Sequence, residues 1–122
     1  MHVLVGVGGT DRSFRALESA IERATAVGDA VTVAVIDDPE SDADPEAVEA
    51  KARDLIGQYD LDADVRLLTG NPGAELVALA ESEGFDELVI GDGKRTPMGK
   101  IQLDTITQYA LFNSHVTVKV VR

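Results

Sequence analysis

The chain has no cysteine and no tryptophan, only two histidines, and few aromatic residues of any kind. Without cysteine there can be no disulfide, thiolate zinc site or thiol nucleophile. His2 and His115 lie near opposite chain ends and cannot form a histidine-based metal cluster. Bases are also scarce: 11 Lys and Arg stand against 22 Asp and Glu, for a net charge of −11. A broad nucleic-acid surface needs clustered cations to displace counterions, so no nucleic-acid partner is expected. Docking on an anionic membrane is disfavoured for the same reason. No stretch approaches the roughly 20 apolar residues of a membrane span. Met1 to Val7 is apolar but too short for a signal peptide and lacks a basic start, so a cytoplasmic location is expected.

What is present describes one folded domain spanning residues 1–122. Hydrophobic residues make up 44% and charged residues 27%, the proportions of a globular chain. At this length roughly two-thirds of the unfolded surface can be buried, so no metal or disulfide is needed to hold a core. Thirteen of the acids are Asp and only four of the bases are Lys. An acid-rich, lysine-poor surface fits a halophilic protein working in very high salt. The plainer alternative is colloidal solubility.

Five apolar runs alternate with four helical patterns. His2 to Val7 reads as a strand buried on both faces and ends in Gly8-Gly9-Thr10. Asp11 to Val27 follows with helical spacing and stops at Gly28. Val31 to Ile36 is the second run. Asp44-Pro45 then opens a helix that continues to Gly57. Asp64 to Thr69 is the third run, and Gly70-Asn71-Pro72-Gly73 reads as a turn before a helix over Glu75 to Glu83. Glu87 to Ile90 is the fourth run; a final helix ends near Phe112, and Val116 to Val121 closes the chain.

Strict alternation implies an open parallel five-stranded sheet with helices on both faces, an α/β fold. The nearly all-apolar runs belong at its centre. The third, interrupted by Arg66, and the fifth, with Thr117 and Lys119, belong at its edges. Right-handed crossovers then favour the order 3-2-1-4-5. The topological switch falls between strands 1 and 4, where ligands bind at the carboxyl ends of such strands. Gly8-Gly9-Thr10 and the segment after Gly91 meet there.

That segment, Gly91 to Lys100, holds three glycines and three of the 11 bases. Glycine admits a phosphate to the backbone, and Lys94 and Arg95 can neutralise it. A solvated basic turn is the competing account. A P-loop would need glycine at Lys94 and Ser or Thr at Ile101; a dinucleotide fingerprint would need glycine at Thr96. Asp60-Leu61-Asp62-Ala63-Asp64 imitates the start of a calcium loop, but Val65 and Asn71 stand where Gly and Glu are required. Asp37-Asp38 reads as plain loop. No Ser, His and Asp set assembles at the switch point, and no catalytic residue or metal site is expected.

Several segments then fall into a familiar order: Val3-Leu4-Val5-Gly6-Val7 with Gly9-Thr10, Arg15-Ala16-Leu17, Gly70-Asn71-Pro72, Phe85-Asp86-Glu87-Leu88-Val89-Ile90-Gly91, and Gly99-Lys100 with Asp104-Thr105. With this spacing the chain resembles the universal stress protein family over essentially its whole length. The resemblance implies the same five-stranded fold, of the adenine-nucleotide α-hydrolase-like kind. It also implies a homodimer through the last strand and, in many members, ATP bound at the switch point. The family's ATP signature is a glycine, two residues, a second glycine, nine residues, then glycine and Ser or Thr. Gly91 and Thr105 match its ends, whereas Lys94 and Asp104 replace its inner glycines. The family's nucleoside-contacting acid falls at Gly8, and Val35 falls where the family lines its adenine pocket.

These departures lead to the expectation of a non-enzymatic binding or regulatory protein with a degenerate ATP site and no cofactor. Asp104 is a favoured N-cap, able to accept from the N–H groups of Ile106 or Thr107 and so fill the anion site from within. The alternative is an ATP binder, or a slow ATPase with magnesium, using Gly91, Lys94, Arg95, Thr105 and Ile106. On the last strand, Val116, Val118 and Val120 share one face, and this edge is the expected dimer contact.

Overall fold

The computed structural model describes residues 1–92, 94, 95 and 97–122, and only the backbone of Lys94, Arg95 and Ile101. The elements run β1 (His2–Val7), α1 (Asp11–Val27), β2 (Ala30–Val35), α2 (Pro45–Gln58), β3 (Asp64–Leu67), α3 (Pro72–Ser82), β4 (Glu87–Gly91), β5 (Lys94–Arg95), β6 (Ile101–Gln102), α4 (Thr105–Asn113) and β7 (Thr117–Val121). Five strands form one parallel sheet in the order β3-β2-β1-β4-β7. This is the expected 3-2-1-4-5 arrangement, with the switch between β1 and β4.

Side-chain alternation explains why the central strands read as unbroken apolar runs. Val3, Val5 and Val7 of β1 face one core with Val31, Val33, Val35 and the apolar stripes of α1 and α2. Leu4 faces a second core with Ala34, Leu88 and Ile90, covered by α3 and α4. Both faces are buried, so these strands are almost wholly apolar, with Thr32 of β2 the one polar residue in their buried stretches among the described residues. On the edge strand β3, Arg66 instead reaches Asp64 and Glu83, which keeps its charge solvated and paired.

Most element ends fall within a residue of the sequence expectation, and three differences are larger. Helix α3 starts at Pro72 rather than Glu75, because the Asn71 side chain accepts from the Ala74 N–H at 3.0 Å and Pro72 takes the first turn. The turn-forming residues Asn and Pro are here a helix start. Strand β3 stops at Leu67, although the Leu68 N–H still donates to the Val35 carbonyl. Within the segment after Gly91, Lys94–Arg95 pairs antiparallel with Ile101–Gln102, so this stretch contains a short hairpin.

Candidate functional site

The carboxyl ends of β1, β2 and β4 converge with the start of α4 at the switch point. Helix α1 is capped by Thr10, whose side chain accepts from the Ser13 N–H at 3.1 Å. The first turn of α1 passes directly over Gly91. A Cβ on Gly91 would lie 2.0 Å from the Arg12 carbonyl oxygen and 2.7 Å from the Ser13 nitrogen. The glycine that the sequence offered for phosphate contact is therefore required by helix packing.

Asp92, immediately after β4, is 1% exposed. Its N–H donates to the Val121 carbonyl, and its Oδ2 accepts from the Asp104 N–H at 2.8 Å. This pair of bonds ties β4 to β7 and to the start of α4 across the intervening hairpin. Asp104 is the N-cap of α4, with its Oδ1 accepting from the Thr107 N–H at 2.8 Å. The end of the helix that would attract a phosphate thus already holds a carboxylate.

A second carboxylate occupies the other side of the site. The Asp38 side chain accepts from the Glu40 N–H at 2.9 Å and is 8% exposed. A Cβ on Gly8 would lie 2.5 Å from the Asp38 Cβ and 3.0 Å from its Oδ2. Asp38 thus fills the space that a side chain at position 8 would need. Burial pushes the Asp38 carboxyl above the usual carboxylate range; the Glu40 N–H opposes this, and the nearby Asp104 and Glu40 charges add to it. Arg12 reaches Glu40 at 3.7 Å, and its buried Nε has no hydrogen-bond partner among the described residues.

Three neighbouring hollows that share lining residues make up the groove at this point. The first, about 150 Å³, is lined by Glu40, Asp92, Gln102, Leu103 and Asp104. A smaller one of about 40 Å³ is lined by Asp38, Pro39, Glu40, Asp104, Thr105 and Ile106. The third, about 170 Å³, is lined chiefly by Pro39, Pro72, Ile106 and Tyr109, with Asn71 and Thr105.

Of the residues nominated from the sequence, Asp104, Thr105 and Ile106 line this groove. Gly8 is covered by Asp38, and Gly91 by the backbone of α1. Val35 is 1% exposed and belongs to the core beneath α1 and α2, not to the groove. The side chains of Lys94 and Arg95 lie outside the described residues. Sequence reasoning missed Asp38, Glu40 and Asp92. Only the position of an acid just beyond a buried strand pointed toward Asp92, and Asp38 had been read as plain loop. Both histidines are remote from the groove. His2 starts β1 and stacks on Phe85 with ring centroids 4.1 Å apart, and His115 precedes β7 with its side chain 91% exposed.

The structure is similar to several solved proteins. A universal stress protein from Archaeoglobus fulgidus aligns with a TM-score of 0.83 at 23% identity, covering 100% of this chain and 98% of that one. A universal stress protein in complex with cAMP aligns with a TM-score of 0.79 at 27% identity, covering 100% and 96%. Another from Archaeoglobus fulgidus, in complex with dAMP, gives 0.75 at 18% identity, covering 100% and 98%. The sequence has no significant match among curated proteins. The family model described as the universal stress protein family matches residues 1–122. On that match and the shared fold, the chain belongs to the universal stress protein family.

Proposed function

We propose that this protein is a non-enzymatic binding or regulatory member of its family, acting in the stress response, whose switch-point groove rejects polyphosphate. One observation carries the reading: the Asp104 carboxylate caps α4 where an anion would otherwise be received. Beside Asp104, Glu40 and Asp92 line one hollow, and Asp38 and Glu40 line the smaller one next to it. A triphosphate brought there meets like charge in a partly desolvated site, where screening is weak. His2 and His115 both lie away from the groove, so no histidine is at hand there for proton transfer.

A second reading is favoured by the cAMP complex of the 27%-identical relative. In it the groove takes an adenine nucleotide, with magnesium in the ATPase variant, held by Gly91, Lys94, Arg95, Thr105 and Ile106. Equilibrium binding of labelled ATP with magnesium to the wild type and to Asp104→Gly separates the two. No wild-type binding supports the first reading, and tight wild-type binding supports the second.

The same proposal places the protein in the cytoplasm, in a salt-rich milieu, as a homodimer through β7. Val116, Val118 and Val120 are only partly covered within the monomer, and Val116 and Val118 lean on its own second core. Phe112, at the end of the adjoining helix, is 85% exposed. An edge strand with open main-chain groups favours a twofold mate. Light scattering giving the monomer mass at working salt refutes the dimer.

A further inference from the structure

The chain that leaves β2 crosses the carboxyl end of β1 in irregular conformation before it enters α2. The Ile36 N–H makes the last bond to β1, on the Val7 carbonyl, and Asp44 caps α2. Between these two points every hydrogen bond among the described residues stays inside the segment. The Glu40 N–H donates to Asp38 Oδ1, the Ser41 N–H to the Asp38 carbonyl, and the Ala43 N–H to Ser41 Oγ. Residues 37–44 are exposed except for Asp38, which is buried, and Ser41, which is half-buried. Those two sit on Gly8 and Gly9. A Cβ on Gly8 would lie 2.5 Å from the Asp38 Cβ, and one on Gly9 would lie 2.6 Å from Ser41 Oγ and 3.0 Å from the Ala43 Cβ. The segment is therefore held down by close packing on two bare glycines. The 3.7 Å contact of Glu40 with Arg12 adds a partly exposed pair of little strength.

We propose that residues 38–43 form a pH-sensitive strap, latched on the Gly8–Gly9 turn while Asp38 is protonated and lifted once Asp38 carries its charge. The seated carboxylate has one donor among the described residues, the Glu40 N–H, and that donor travels with the strap. Lifting keeps this bond and returns the charge to water, whereas staying seated leaves the charge desolvated. Burial accordingly raises the Asp38 carboxyl above the usual carboxylate range. Among the described residues, Asp104 of α4 and Glu40 of the strap repel the anion and Arg12 of α1 attracts it, while β1 offers only the uncharged Gly8 and Gly9. The latched fraction is thus greatest in acid and falls as pH rises through the raised value. Asp38, Pro39 and Glu40 line the smallest of the three hollows, so lifting the strap opens that hollow and uncovers the Gly8–Gly9 backbone. The strap governs access to the switch point rather than what binds there, which takes it beyond the rejection of polyphosphate.

A chain without cysteine takes spin labels only where cysteine is introduced. Asp42→Cys on the strap and Arg15→Cys on α1, both at exposed positions, carry a nitroxide pair. Pulsed electron spin resonance reads its separation in samples prepared from acid to neutral pH. The labelled parent should show one short separation in acid and a growing population of longer ones as pH rises. Asp38→Asn keeps the acceptor for the Glu40 N–H but cannot ionise, so it should hold the short separation throughout. Gly8→Ala fills the seat and should give the longer separation even in acid, with circular dichroism checking that the fold is kept. A parent separation that does not change with pH, an equal change in Asp38→Asn, or a short separation retained by folded Gly8→Ala would each overturn the strap. No nucleotide enters the measurement, so its failure leaves the rejection of polyphosphate standing, and tight ATP binding would leave the strap standing.

Discussion

Replacing Asp104 tests whether a carboxylate closes the start of α4. The helix spans Thr105–Asn113 and has no acidic residue in its first turn, so the 2.8 Å bond from the Thr107 N–H to Asp104 is its local N-terminal stabiliser. Asp104→Ala loses that acceptor, which costs about 0.5–2 kcal/mol, whereas Asp104→Gly costs only a few tenths. One compensation reduces the loss. The Asp104 charge raises the Asp38 carboxyl, so deleting it relieves a repulsion at neutral pH. Asp104→Asn separates the two effects, since it keeps an acceptor and discards the charge. It should match the parent or exceed it slightly, while Asp104→Ala should be clearly weaker. For a domain of this size each 1 kcal/mol moves the melting temperature by roughly 3–6 °C. Urea unfolding followed by circular dichroism, with heat unfolding alongside, reads both quantities. The reasoning fails if Asp104→Ala is as stable as the parent, or if Asp104→Asn is as damaging as Asp104→Ala.

Gly91→Ala should destabilise by at least the ~1–3 kcal/mol of an overpacked core site, because its Cβ meets the Arg12 carbonyl and cannot be accommodated by a rotamer change. Gly8→Ala should cost less, since its obstacle is the Asp38 side chain on a loop; chemical denaturation orders the two, and the reverse order contradicts the packing account. Asp38 titrates higher in the fold than in the unfolded chain, so its ionisation opposes folding. That penalty is fully present above its folded pKa and is relieved as pH falls toward the unfolded value. Asp38→Asn should therefore raise stability at neutral pH and narrow its advantage toward acid pH, and a constant advantage across this range counts against the cause given. Finally, a net charge of −11 makes self-repulsion strong at low ionic strength, where the Debye length is about 30 Å at 0.01 M against about 3 Å at 1 M. The melting temperature should climb with potassium chloride, and a flat profile would refute that.

Fold and strand order were legible because burial on two faces writes itself as unbroken apolar runs. Val3 to Val7 and Leu88 to Ile90 admit no polar residue, while Arg66, Thr117 and Lys119 mark the edges. The capping role of Asp104 was legible for a local reason: a short acid before a helical pattern accepts from N–H groups two or three residues ahead. The start of α3 was not, because Asn71-Pro72 signals a turn and a capped helix equally well. Asp38 over Gly8, and Asp92 holding the Asp104 N–H, were hidden for a different reason. Each joins segments that the fold alone brings together, and no local period records such a contact. Gly91 shows the same limit from the other side. Its residue type was noticed, but the backbone of α1, not a ligand, turned out to require it.

The most direct measurement is equilibrium binding of labelled ATP with magnesium to the wild-type protein, at low salt and again at molar salt. A groove bordered by Asp38, Glu40, Asp92 and Asp104, with Asp104 seated on the α4 N-terminus, predicts no saturable binding at either condition. Tight, saturable ATP binding that persists in molar salt contradicts the account.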